Sequence, residues 1–148
     1  MLTLNRLDIG DARAIIAGAR QKAEEIGVPM CIAVTDESGN LIAFERMDGG
    51  KMTSINLAID KSYTAVGIQK STQALGEVNQ PGKPAHGISS ALGGRMVAVG
   101  GGVPVLSDGI VVGGVGASSG SPAQDHDVAQ AGVDAFLRLI QEEFEVST

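Results

Sequence analysis

Tryptophan is absent from this chain of 148 residues; tyrosine occurs once and phenylalanine three times. A core without large rings must be assembled from Val, Ile, Leu, Ala and Met, side chains that favour helices packed closely on a sheet. Cysteine is almost absent too. Cys31 alone cannot form an internal disulfide, which points to a reducing, cytoplasmic compartment, and its apolar surroundings predict a buried strand residue. The two histidines, His86 and His126, belong to no spaced metal motif, so no metal site is expected. Positive charge is scarce: 11 Lys and Arg face 17 Asp and Glu, a formal net charge of −6. That balance excludes nucleic acid and an anionic membrane surface as main partners. No apolar run approaches the roughly 20 residues needed to cross a bilayer. The opening MLTLNRLDIGDARA lacks the basic region and long apolar core of an export signal. A P-loop, a nucleophile elbow, a dinucleotide fingerprint and a zinc motif are all missing.

What is present is a globular composition, 43% hydrophobic and 19% charged, long enough for one domain spanning residues 1–148. From Asp8 to Ile26, Ala12, Ile15, Ile16, Ala19, Ala23 and Ile26 recur at helical spacing, and Gly27 and Pro29 end the helix. Two apolar runs, Met30 to Val34 and Leu41 to Phe44, flank the turn formers Asp36-Glu37-Ser38-Gly39-Asn40, a hairpin pattern. A second helix is expected from Ser54 to Ile68, capped by Ser54 or Thr53. Ser71 to His86 reads as a short helical turn and a long loop. Strands follow at Met96 to Val99, Val103 to Leu106 and Ile110 to Val115. In Ser121-Pro122-Ala123-Gln124 a cap, a first-turn proline and a capping-box Gln start the last helix. Its expected buried stripe is Val128, Ala131, Ala135, Phe136, Leu139 and Ile140, with an end near Glu143. The order predicts an α+β domain with a five-stranded antiparallel sheet.

Eight of the 21 glycines fall between Val97 and Gly120, among valines. Glycine weakens a strand interior, so these positions serve tight turns and close helix–sheet packing, or they open the backbone to a ligand. Gly100, Gly101 and Gly102 and the run Gly116 to Gly120 fall at expected strand ends, the second run leading into the last helix. There, free backbone N–H groups suit an anion, and Ser118, Ser119 and Gln124 join them as ligand-binding candidates.

Lys61 lies between Leu57, Ala65 and Ile68 on the helical wheel, away from Asn56 and Asp60. A charge on the apolar edge needs a partner: a bound anion, an acid such as Asp36 or Asp125, or the solvent reached by snorkelling. Lys61 is expected within one side-chain length of residues 116 to 125. Lys61 and Asp125 are the candidates for acid–base roles. Asp125 and Asp127 also suit the helix dipole. Arg46 and Asp48 end the second strand, where the guanidinium can hold a carboxylate or form a surface ion pair.

The stretches AVTDESGNLIAFERMDG, AIDKSYTA and GGGVPVLSDGIVVGGVGASSGSPAQDHDVAQAG resemble the GlcG/HbpS-like family, also found as the C-terminal domain of PduO-type proteins. The resemblance covers nearly the whole chain in order. It implies a profilin-like fold of α/β/α layers with five antiparallel strands, and homo-oligomers, often octamers. It also implies haem or another tetrapyrrole as ligand, with His86 and His126 as axial candidates and Met47 and Met52 able to touch the ring. The chain departs from the family where relatives usually read Val-Ser-Gly-Gly and it has Ala117-Ser118-Ser119-Gly120. Two functions stand: a small-molecule-binding protein holding an anionic group at the glycine-rich turn, and a cofactor-independent lyase or isomerase acting on a carboxylate-bearing or cyclic metabolite.

Overall fold

The computed structural model describes residues 1–148. Helix α1 (Ile9–Ile26) starts at a capping box between Asp8 and Asp11 and stops at Gly27, whose φ of 69° is left-handed. Strands β1 (Cys31–Asp36) and β2 (Leu41–Arg46) form the expected hairpin. Asp36 Oδ1 fixes its turn by accepting from the N–H groups of Ser38 and Asn40, at 2.9 and 3.0 Å. Helices α2 (Ser54–Ile68) and α3 (Thr72–Val78) follow, then a loop with a 3₁₀ stretch at Ile88–Gly94. Strands β3 (Gly102–Ser107) and β4 (Ile110–Ser118) lead into the long helix α4 (Pro122–Val146). No helix is long and apolar enough to cross a membrane.

The sheet is antiparallel, in the order β2-β1-β4-β3. It has four strands, and the expectation of five is overturned. The missing strand is Met96 to Val99, whose backbone is claimed by the helices beside it. Val97 N–H donates to Thr64 Oγ1 at 3.0 Å, and Val99 C=O accepts from Thr72 Oγ1 at 2.6 Å. With those groups satisfied by side chains, the segment does not join the ladder.

Helix α2 covers one face of the sheet; α1 and α4, packed on each other, cover the other. Alternation along the strands follows from this. Ile32 and Val34 of β1, Val103 and Val105 of β3, and Val115 and Ala117 of β4 join the core with α1 and α4. On the opposite face stand Cys31 and Ala33, packed with Ala58 of α2, and Thr35, bonded to Ser62 Oγ at 2.7 Å. In β4 that face is glycine. A Cβ on Gly114 would meet Val66 Cγ2 at 2.6 Å, and one on Gly116 would collide with the Ala58 carbonyl. The valine-and-glycine segment is therefore a two-sided strand, one side filling the main core and the other admitting a helix almost to the backbone.

Three further expectations need correction. Neither Thr53 nor Ser54 caps α2: Thr53 makes no capping bond, and Ser54 Oγ accepts from Ser118 Oγ instead. The buried stripe of α4 is Val128, Ala129, Gly132, Val133 and Phe136. Leu139 and Ile140 are exposed, and α4 runs past the expected end near Glu143 to Val146.

Gly116→Ala is expected to lower unfolding stability by about 1–3 kcal/mol, as overpacking against rigid backbone does. Denaturant unfolding checks this, with Gly67→Ala, where an added Cβ meets nothing within 4 Å, as the control for the substitution without the clash.

Candidate functional site

Lys61 and Asp125 meet between α2 and the start of α4, each about 3% exposed. Lys61 Nζ donates to Asp125 Oδ2 at 2.8 Å and to the Ala117 carbonyl at 3.1 Å. The other carboxylate oxygen, Oδ1, accepts from Gly120 N–H at 2.8 Å. The neighbouring backbone requires the pair to lie here. Gly102 sits against the Lys61 carbonyl, and a Cβ on Gly101, whose φ is 133°, would stand 2.8 Å from Lys61 Nζ and 2.9 Å from Asp125 Cβ. Gly100 is similarly blocked by the Pro122 carbonyl, 2.7 Å from its would-be Cβ. The triple glycine thus serves close packing over the ion pair and does not open a path to it.

A cavity of about 260 Å³ lies beside the pair. Its polar wall includes Lys51, Thr53, Ser54, Lys61, Ser118, Ser119 and Asp125, and Leu57, Val97 and Val99 supply the apolar part. Counting donors shows what it lacks. The Lys61 ammonium has three N–H groups and two partners, so one is uncommitted. Ser118 and Ser54 share one 3.2 Å bond, and whichever way it runs, the pair keeps one O–H to give. Ser119 Oγ accepts from Lys51 N–H at 3.1 Å, leaving its own proton free. Asp125, the wall's carboxylate, already has a partner on each oxygen. The vacant positions call for an acceptor, and the Lys51 ammonium, in no ion pair, favours an anionic one.

Ser119 carries the other oddity. Its φ of 121° is glycine territory. The conformation turns its hydroxyl to the Lys51 backbone and ties the end of β4 to the loop before α2. Cys31 Sγ, buried as expected, donates to the Lys51 carbonyl at 3.7 Å from beneath that loop. Burial pushes the Cys31 thiol pKa up.

The structure therefore brings Lys61, Asp125, Ser118 and Ser119 together, with Gly100, Gly101 and Gly102 packed behind them. It leaves the other candidates elsewhere. Arg46 and Asp48 are exposed at and just after the end of β2. Gln124 closes the capping box with Ser121, so the helix-start N–H groups of Ser121 and Gln124 are used internally, as is that of Gly120. The expected backbone nest for an anion is filled by the chain's own side chains. His86 is exposed in the loop, its Nδ1 3.1 Å from the Asn79 carbonyl. His126 is half-buried on α4, its buried Nδ1 without a partner, and does not reach the cavity wall. Lys51, Ser54, Leu57, Val97 and Val99 were not singled out from sequence. Only Lys51 had a signal, a cation after Gly49-Gly50 at a helix entry.

Comparison with known proteins places this geometry. The family described as haem degrading protein HbpS-like matches residues 7–134. An uncharacterized 15.0 kDa protein of the dhaT-dhaS intergenic region of Citrobacter freundii is 34% identical over 90% of this chain and 94% of its own. Corrinoid adenosyltransferase PduO of Salmonella typhimurium is 36% identical over 88% of this chain, which spans 39% of that longer protein. The crystal structure of a PduOC:haem complex superposes with a TM-score of 0.84 at 35% identity, covering 88% of this chain and 94% of that one.

Removing either partner of the buried pair leaves an uncompensated charge, so Lys61→Met or Asp125→Asn alone is expected to lose about 3–5 kcal/mol of stability. The double variant, with no charge left, is expected to regain at least half of that. A double-mutant cycle by chemical denaturation measures the coupling.

Proposed function

The chain is a member of the HbpS-like family, and from that premise we propose that it binds an amphiphilic, carboxylate-bearing ligand, haem or another tetrapyrrole, at the cavity beside Lys61. The observation that carries this reading is the donor surplus of the cavity beneath an apolar lip. Leu57 and Val99 are on the wall yet substantially exposed, and Met52, between wall residues Lys51 and Thr53, is 77% exposed. A tetrapyrrole matches that division: carboxylates for the hydroxyls and Lys51, and an apolar ring for the lip. A relative with 35% identity has been crystallised with haem.

The residues fit the carboxylates and the ring. For the iron, the wall carries no imidazole, thiolate or phenol, and the thioether of Met52 is the adjacent donor. His86 and His126 are not needed for this reading. When bound, haem supplies redox and ligand-binding chemistry; this chain's part is to seat its carboxylates and shield one edge from water.

We further propose a cytoplasmic homo-oligomer. Leu137, Leu139, Ile140 and Phe144 are all exposed along the C-terminal part of α4, apolar surface that association between copies would cover. Light scattering at micromolar concentration is expected to give a mass of several copies, and a mass of one chain refutes the association.

Titration with haemin is expected to give a saturable change in the Soret band. Lys51→Glu should weaken binding roughly tenfold, about 1.4 kcal/mol, and Met52→Ala should alter the shape of the bound spectrum. A haemin spectrum that the protein leaves unchanged overturns the proposal.

A further inference from the structure

The floor of the cavity has a chemistry that the haem reading does not use. We infer that Lys61 forms an imine with short 2-oxo acids, with Asp125 moving the protons. The inference rests on the same cavity but not on haem.

A lysine becomes a nucleophile toward a carbonyl when its proton has somewhere to go and the product is held away from water. Both conditions are met on this floor. Asp125 Oδ2 is 2.8 Å from Lys61 Nζ, and both groups are buried. The carboxylate is held from the far side by Gly120 N–H, which fixes its free lone pairs on the lysine. The cavity, about 260 Å³, suits a small carbonyl compound, and its uncommitted donors specify what else that compound carries. The hydroxyls of Ser54 and Ser119 and the Lys51 ammonium line the same cavity and ask for a carboxylate on the compound whose carbonyl carbon Lys61 attacks. A 2-oxo acid places its carboxylate directly on that carbon.

The steps balance. One ammonium proton passes from Nζ to Asp125 Oδ2, and rotation about Cε–Nζ turns the nitrogen lone pair into the cavity. The lone pair attacks the carbonyl carbon, forming the C–N bond, and the carbonyl π electrons move to oxygen. That oxygen takes a proton from the nitrogen, giving the neutral carbinolamine. Asp125 then returns its proton to the hydroxyl, the C–O bond breaks with its electrons, and water leaves. The product is an iminium beside a carboxylate, the same net charge as the starting ammonium pair. Lys61 is the catalytic residue. Asp125 touches the leaving oxygen and is catalytic in that step; Ser119 and Lys51 position the substrate.

The test is reductive trapping on the wild-type protein. The full chain is incubated with pyruvate and cyanoborohydride, and peptide mass mapping reads the reduced adduct at each lysine over time. Lys61 is expected to be labelled at least tenfold faster than exposed Lys70, although burial alone would make it slower. Lys61→Arg, which keeps a cation for Asp125, should lose that fast phase and leave the Lys70 rate unchanged. Acetone, which has the carbonyl but no carboxylate, should label Lys61 at least tenfold more slowly than pyruvate. Labelling of Lys61 no faster than Lys70, or acetone equal to pyruvate, overturns the inference. Slow Lys61 labelling with intact haemin binding refutes this inference alone, whereas fast labelling without haemin binding refutes only the haem reading.

Discussion

The distance between α2 and the sheet governs the rest of this molecule. Where β4 presents Gly114 and Gly116, and β3 presents Gly102, the helix backbone comes so near that no side chain fits between. At that distance Lys61 has no room to extend outward through the interface. Its chain runs along the sheet and brings Nζ under Gly101 and against Asp125. The burial of the ion pair and the need for glycine at 101 and 102 follow from this close approach, and Gly100 answers to Pro122 at the start of α4. A larger residue at Gly102, Gly114 or Gly116 would push α2 away from the sheet.

Such packing explains why part of the design was legible and part was not. Each strand that formed was visible as an apolar run bounded by turn residues or glycines, and the start of α4 could be read from its capping chemistry. The ion pair was legible for a simple reason. Lys61 falls on the apolar side of its helix, and a charge there must meet a partner or a solvent path. From sequence, the glycines of this segment were open to two readings, tight turns with close helix–sheet packing or a nest for a ligand, and the structure assigns Gly114 and Gly116 to packing. Their alternation with Val115 and Ala117 was the missed signal, since period-two spacing assigns them to one face of a strand.

The fifth strand failed for a different reason. Met96 to Val99 has strand composition, but whether a ladder forms depends on which groups reach its N–H and C=O first. Thr64 and Thr72, distant in sequence, supply those groups. Nothing in the local pattern records a side chain folding back from another helix. The place of Ser54 in the cavity was hidden similarly. Ser54 stands at a helix start, where a serine normally caps, and only the tertiary approach of Ser118 diverts its hydroxyl to the cavity.

Ser119 shows how the cavity wall is kept in place. A residue with a Cβ held at a φ of 121° is strained by about 1–3 kcal/mol, and such a state persists only where its surroundings over-determine it. Here the surroundings are the loop it fastens. Lys51 N–H binds the Ser119 hydroxyl, Cys31 reaches the carbonyl of the same residue, and Met47 N–H pairs with the Met30 carbonyl at 2.9 Å. The loop is therefore anchored at both ends to the strands β1 and β4 that carry the ion pair's neighbours. Glycine at position 119 would relieve the strain and release Lys51 together. The serine trades backbone comfort for a hydroxyl that holds the Lys51 backbone at the rim of the cavity.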